Sequence, residues 1–306
     1  EISCSLVGSE MCIRDRFTSI FKKGEIMDSN LWTISKESKE IIKKIKSLPV
    51  APVLTFNNFK GGVGKSTLIA LFAFIMVKFK IKVLLIDSDP QRTLTKKLMK
   101  NFTVKNEASQ TFMEGIKNNS LKNCITQLDD YLYIVQGDWE LAKLDRYART
   151  NLKQSNEYFL YSYLINDLKK DYDFIIFDSV PTTSLYTHNC IVASDYVIAP
   201  TQAEEESYEN TISYLNYLND MRQYNEKLEI LGVVPYLTKD DNSTNRSFLK
   251  KYYETFGDLT FQNIIKYSAR VLTWGTKGIT ENKGYDKQTL AMYLSVFEEF
   301  LERINK

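Results

Sequence analysis

Histidine is almost missing: His188 is the single one in 306 residues. No Ser/His or Cys/His constellation stands around it, so triad-type nucleophilic catalysis is set aside and His188 is expected to pack on or under a helix. Cysteine is scarce too, and Cys4, Cys12, Cys124 and Cys190 form no CxxC pair. Their spacing suits neither zinc nor an iron–sulfur cluster, so no redox centre built on bridging thiolates is expected. Cys124 and Cys190 fit a reducing cytosol, as buried thiols. No apolar run is long enough to span a bilayer, and the first sixteen residues lack the apolar core of a secretory signal. An excess of one charge is also lacking: 40 Lys and Arg face 38 Asp and Glu, a net +2. Any contact with DNA must therefore come from a local patch and not from the chain as a whole.

What is present is an ordinary globular composition, 43% hydrophobic and 25% charged, in a length that suits one large α/β domain or two small ones. The opening EISCSLVGSEMCIRDR resembles translated adapter or read-through sequence. The expected division is a non-native leader at 1–26 with the start at Met27, an N-terminal helical extension at 27–50, and one domain at 51–306 without repeats or low-complexity linkers.

The periodicity supports that division. Ile34, Ile41, Ile42, Ile45 and Leu48 share one face of a helix expected over 31–48, which Pro49 and Pro52 stop. Its other face carries Lys36, Lys39, Lys43, Lys44 and Lys46. A solvated face over a packed stripe is the favoured reading of those lysines; a DNA, membrane or partner surface is the other. The runs at 53–56, 82–87, 131–135, 174–177, 196–199 and 230–234 are short and apolar throughout, the pattern of strands covered on both faces. Helical patterns separate them, notably at 65–79, 151–169, 204–223 and 243–256, and the last helix is expected at 287–304. The alternation predicts an α/β fold: a doubly wound, mostly parallel sheet flanked by helices.

The strongest motif is Lys60-Gly61-Gly62-Val63-Gly64-Lys65-Ser66-Thr67, which follows a strand and opens a helix. Glycines let backbone N–H groups turn inward around phosphate oxygens, and the helix N-terminus adds partial positive charge. Lys65 can reach the β- and γ-phosphates, the Ser66 hydroxyl can ligate Mg²⁺, and Thr67 can touch the α-phosphate. The general pattern has glycine at position 59. This chain has Phe59 there and a second lysine, Lys60, before the first glycine, the mark of the deviant Walker A class.

FNNFKGGVGKSTL (56–68), Asp87-Ser88-Asp89-Pro90-Gln91, DFIIFDSVPTTS (173–184) and YVIAPTQAEEES (196–207) together resemble, in order and spacing, the ParA family of DNA-partition ATPases within the ParA/MinD superfamily of P-loop NTPases. The resemblance runs from about residue 50 to the C-terminus. It implies ATP/ADP and Mg²⁺ as cofactors and an ATP-dependent homodimer in which Lys60 reaches the partner's nucleotide. Lys65 would hold phosphates in its own subunit, Asp89 would orient the attacking water, Asp178 would hold Mg²⁺, and Asp87 would stand near the metal. Bland alternatives are turn carboxylates for Asp87 and Asp89 and a helix N-cap for Asp178. Two departures stand out: Ser179-Val180-Pro181 where two prolines are common, and Arg92 where a glycine is common.

The resemblance further implies nonspecific double-stranded DNA binding by the dimer, a ParB-like centromere-binding protein that stimulates slow hydrolysis, and a cytoplasmic, nucleoid-associated protein acting in plasmid segregation. Arg270 falls where the family places a DNA-contacting arginine; Arg246, Lys250 and Lys251 follow as candidates. Tyr236 and Tyr267 are placed near the adenine. The alternative is a MinD-like membrane-positioning ATPase. The last helix speaks against it: Leu290, Leu294, Phe297, Leu301 and Ile304 make an apolar face, but Glu298, Glu299 and Glu302 on the polar face would be repelled by anionic lipid. No stable membrane association is expected.

Overall fold

Six apolar runs become neighbouring strands because each is walled off from water on both sides. The computed structural model describes residues 31–239 and 242–306, so the expected leader at 1–26 and the first residues of the helical extension lie outside the described residues. The strands are β1 (Val53–Phe56), β2 (Val83–Asp87), β3 (Ile125–Gln127), β4 (Leu132–Val135), β5 (Phe174–Asp178), β6 (Tyr196–Gln202), β7 (Glu229–Thr238) and β8 (Ile265–Lys266). They form one sheet in the order β3-β4-β2-β5-β1-β6-β7-β8. Every pairing is parallel except β3 with β4. Every residue of β1, β2 and β5 is buried, as all-apolar strands of a parallel sheet require. The short edge strands β3 and β8 carry too few residues to show a period.

The helices, in chain order, are α1 (Lys36–Lys46), α2 (Lys65–Lys78), α3 (Thr93–Leu98), α4 (Phe112–Lys117), α5 (Leu144–Asn151), α6 (Leu160–Asn166), α7 (Leu185–Val192), α8 (Glu205–Met221), α9 (Ser243–Phe256), α10 (Ala269–Lys277) and α11 (Gly284–Ile304). None of the described helices is long and apolar enough to cross a membrane. α2 is apolar nearly all round because it lies between the sheet and α11; its Phe72 ring meets Phe297 at 5.3 Å and Phe300 at 5.6 Å. Leu290, Leu294, Phe297 and Leu301 of α11 are accordingly buried in the main core. Glu299, expected on the polar face, is buried as well: it accepts hydrogen bonds from the Gln262 and Asn263 backbone N–H groups and from Arg303.

α1 is capped by Ser35, whose hydroxyl accepts from Ser38 N at 3.0 Å. Its stripe of Ile41, Ile42 and Ile45, with Ile34 ahead of it, joins the same core, while Lys36, Lys39, Lys43, Lys44 and Lys46 stay exposed. Glu298 of α11 fixes the helix start by accepting from Ser35 N and Ser38 Oγ.

The pattern at 151–169 is not one helix. α5 ends at Asn151, a 3₁₀ segment covers Gln154–Phe159, and α6 starts at Leu160. The buried Asn189 side chain, from α7, accepts from Tyr161 N and donates to Glu157 O, which pins the break from outside the segment.

Candidate functional site

Because β2, β5 and β1 are adjacent and parallel, their C-terminal ends open on one edge of the sheet. Asp87 pairs in register with Asp178, and Asp178 with Phe56, three residues ahead of Phe59 and four ahead of Lys60. The topology thus delivers the glycine loop and both aspartates to one crevice, where open α/β sheets bind ligands.

The loop is shaped by Gly62 (φ 76°) and Gly64 (φ 87°), and α2 begins at Lys65. Gly64 also lacks room for a side chain: a Cβ there would stand 2.2 Å from the Tyr236 ring. The start of the loop is tied down by two buried asparagines. Asn58 donates to Pro200 O at 3.0 Å and to Thr211 Oγ1 at 3.1 Å, and accepts from Lys60 N. Asn57 donates to Val180 O at 3.0 Å and to Ser179 Oγ. Ser179, at a departure from the family pattern, therefore bonds to the residue that follows β1. Phe59, where the general P-loop pattern has glycine, wedges its ring against Tyr214 (5.1 Å) and Tyr217 (5.2 Å) of α8. Arg92 adopts φ 60°, the left-handed conformation a glycine would take without strain, and its guanidinium donates to Gln136 Oε1 at 3.1 Å.

Gly61, Gly62, Gly64, Lys65, Ser66 and Thr67 form one wall of a cleft of about 300 Å³; Asp89, Thr93, Lys97, Ser179 and Pro181 line the rest. Burial lowers the pKa of Lys65, with the charges of Asp178 and Asp89 acting the other way. Asp87 is buried and holds both of its oxygens in hydrogen bonds: Oδ2 accepts from Thr95 N (2.9 Å) and Thr95 Oγ1 (2.7 Å), and Oδ1 from Asp89 N (3.3 Å). Burial raises its pKa to about 6 against those bonds. Asp178 is pushed further, to about 8, by burial and then by the neighbouring Asp87 charge; the hydrogen bond with Ser66 and the Lys65 charge oppose this. Its Oδ2 is buried without a hydrogen-bond partner.

A metal ion fits that arrangement. Two buried carboxylates that resist ionisation, one with an orphaned oxygen and a hydroxyl beside it, are a site short of positive charge. Among the described residues no three His, Cys, Asp or Glu side chains form a self-sufficient metal cage. One unpartnered carboxylate oxygen of Asp178 with the Ser66 hydroxyl beside it suits Mg²⁺, which keeps waters and shares substrate phosphates.

Asp89 lines the cleft, and its Oδ1 also accepts from Gln91 N at 2.8 Å, so the turn role and the cleft position coexist. Lys60 turns elsewhere: its ammonium is paired with Glu206 and lies 3.8 Å from Glu204, at the start of α8. The hydrogen bond to Glu206 is the main reason its pKa is raised.

The remaining sequence candidates scatter. α9 puts Arg246 and Lys250 one turn apart, both exposed; Lys250 lies 3.4 Å from Glu254, and Lys251 covers the Tyr208 ring at 4.3 Å. Arg270 is not a free surface cation. Its Nε donates to the fully buried Asp286 at 2.5 Å and its NH2 to Thr280 Oγ1 at 2.9 Å. Tyr236 is 1% exposed, bonded to Tyr293 Oη at 2.6 Å, and packed under Gly64, which removes it as an adenine contact. Tyr267 is exposed, with Lys239 Nζ at 4.9 Å from its ring. His188 packs on Tyr158 at 4.5 Å. Cys124 and Cys190 are free and buried. Thr93 and Lys97 were missed by motif reading. The only sequence signal for them was that α3 follows directly on the aspartate turn.

The chain is similar to several known proteins. The sporulation initiation inhibitor protein Soj of Bacillus subtilis is 27% identical over 238 residues, covering 72% of this chain and 85% of that protein. The structure of a putative plasmid partition protein of Borrelia burgdorferi bound to AMPPNP is 26% identical, with a TM-score of 0.66 over 81% of this chain and 98% of that one. The ATP complex of a Cyanothece McdA variant, 23% identical, matches in fold with a TM-score of 0.71 over 82% of this chain and 97% of that one. The AAA domain family matches residues 51–230, more than half of the chain, and the chain belongs to that family, as a ParA-family P-loop ATPase.

Proposed function

We propose that this protein is a Mg²⁺- and ATP-dependent partition ATPase that works as a nucleotide-switched homodimer. The observation that carries the reading is the cleft in which Lys65, Ser66 and Thr67 face Asp89, with the orphaned Oδ2 of Asp178 beneath. Phosphoryl transfer needs positioning and charge neutralisation more than a strong base. Ser66 and Asp178 would hold Mg²⁺, with Asp87 orienting the turn beside it, and the ion would neutralise phosphate charge. Lys65 grips the phosphates of its own subunit, and Asp89 orients water. Lys60, once released from Glu206, reaches the nucleotide of a second copy. Without a strong base, hydrolysis is slow until a partner stimulates it.

On this reading the ATP-bound dimer binds double-stranded DNA without sequence preference through α9, where Arg246, Lys250 and Lys251 lie, with Arg270, 22% exposed and tied to Asp286, as a further contact. A ParB-like centromere-binding protein triggers hydrolysis and release, and the cargo is a plasmid. Phosphate contacts act collectively, so two weak patches on a dimer bind where one does not. The name of the Borrelia protein supports partition as the process.

The test is duplex-DNA binding at low salt with Mg²⁺–ATP, Mg²⁺–ADP or no nucleotide, in wild type, Lys60→Ala and Lys250→Ala. ATP-dependent binding that Lys60→Ala abolishes and Lys250→Ala weakens is expected. Equal DNA affinity in all nucleotide states would refute the switch.

A further inference from the structure

Beside Lys65, the phosphate cleft has a second lysine. Lys97, on α3, lines the cleft with Thr93, across from the loop residues Gly64 to Thr67. It also borders a smaller adjoining groove with Thr67, Asn101, Val271 and Trp274. Thr67 and Lys97 are the two residues common to both spaces, so Lys97 stands where the loop ends and the groove begins.

No carboxylate of the described residues pairs with it directly. Lys97 is half-buried, and among the described residues its ammonium makes no hydrogen bond or ion pair. The neighbouring Lys100 is occupied, donating to Gly275 O at 2.7 Å. Burial, with the Lys100 charge behind it, lowers the pKa of Lys97, and only the field of Asp178 acts to keep the proton on. A half-buried cation without a partner is destabilising. A phosphate oxygen arriving in the cleft supplies the missing charge.

We propose that Lys97 is a nucleotide-binding residue that contacts the α- and β-phosphates in its own subunit and sets affinity for nucleoside di- and triphosphates alike. This rests on the reading of the cleft as a nucleotide site. The position beside Thr67, at the inner end of the loop, separates it from Lys60, which serves the terminal phosphate of a second copy. Discrimination between ATP and ADP is then left to Lys60 and Asp89, while Lys97 contributes equally to both states.

The experiment measures binding of ADP and a non-hydrolysable ATP analogue, both with Mg²⁺, by calorimetry on wild type, Lys97→Met, Lys97→Arg and Lys65→Ala. Each protein is also melted without nucleotide. Methionine keeps the stem and removes the charge. The expected result is a loss of about tenfold in affinity for both nucleotides in Lys97→Met, the size of one charge-assisted contact. The nucleotide-free melting temperature should be unchanged or higher, and Lys97→Arg should retain most of the affinity. A structural role would instead lower the melting temperature, and that outcome overturns the proposal. So does affinity within twofold of wild type in Lys97→Met, or a loss confined to the triphosphate. Wild type binding nucleotide with Lys65→Ala failing to do so upholds the parent reading whatever Lys97 does. No binding by wild type overturns both.

Discussion

Replacing Gly64 by alanine probes the join between the phosphate loop and the core beneath it. Two penalties add. At φ 87° an alanine sits in the left-handed region, at about 1–2 kcal/mol. Its Cβ would also stand 2.2 Å, 2.7 Å and 2.6 Å from Cε1, Cδ1 and Cζ of Tyr236, far inside van der Waals contact. That ring cannot easily retreat: it is 1% exposed, bonded to Tyr293 at 2.6 Å, and carried by β7 between β6 and β8. Overpacking of this kind adds about 1–3 kcal/mol, so the total is about 2–5 kcal/mol, a large share of ordinary domain stability.

Gly62 is the internal control. Its φ is 76°, but nothing lies within 4 Å of where a Cβ would go, so Gly62→Ala should lose only the backbone part, about 1–2 kcal/mol. Urea unfolding without nucleotide gives both values. Combining Gly64→Ala with Tyr236→Leu isolates the contact, since the smaller side chain relieves the clash. The double variant should be more stable than the sum of the singles by at least about 1 kcal/mol. Equal losses for Gly62→Ala and Gly64→Ala, or strict additivity with Tyr236→Leu, would refute the reasoning.

Three further outcomes follow from the site and its surroundings. Arg270→Ala leaves the carboxylate of Asp286, 0% exposed, without its cation, and should lower stability by about 3 kcal/mol in urea unfolding; adding Asp286→Asn should restore part of the loss, and an unchanged midpoint would show that the pair does not hold α10 to α11. Asp178 and Asp87, with folded pKa values near 8 and 6 against about 3.9 unfolded, bind more protons folded than unfolded. Their penalty is therefore absent below about pH 4 and grows as the pH rises toward 8, so nucleotide-free stability should fall over that range, and Asp178→Asn should flatten the slope in unfolding curves at several pH values. Glu206→Gln removes the main partner of Lys60, so ATP-driven dimerisation, read by light scattering, should occur at about two- to fivefold lower nucleotide concentration, given the modest strength of exposed pairs; a rise in the required concentration would argue that the pair aids closure.

The parts of the fold that were legible share one property: their determinants are contiguous. The run 53–56 followed by Gly61 to Thr67 contains strand, turn and helix start together, and β1 and α2 fall there. α9 spans Ser243–Phe256 as its pattern required, since Asn242 caps its start and Gly257 follows its end. Where the determinants are remote, reading failed. The break between α5 and α6 is set by Asn189, and the burial of Glu299 by backbone N–H groups more than thirty residues away. Arg270 reads as a surface cation until Asp286 is seen beneath it. Tyr236 reads as the end of a strand near a ligand until the sheet places it under Gly64.

By itself, then, the amino-acid order determined the chemistry on offer: two lysines and a hydroxyl on a glycine loop, and carboxylates at two strand ends, each encoded by neighbours along the chain. Tertiary structure decided how those groups are disposed. Adjacency of β2, β5 and β1 brings Asp87 and Asp178 together; burial raises both pKa values, and the Asp87 charge adds to the rise at Asp178. The approach of α8 gives Lys60 its carboxylates, and the approach of α3 gives the cleft Lys97. The physical reason is that burial and charge depend on distances through space, and sheet order, which no local stretch of sequence encodes, sets those distances.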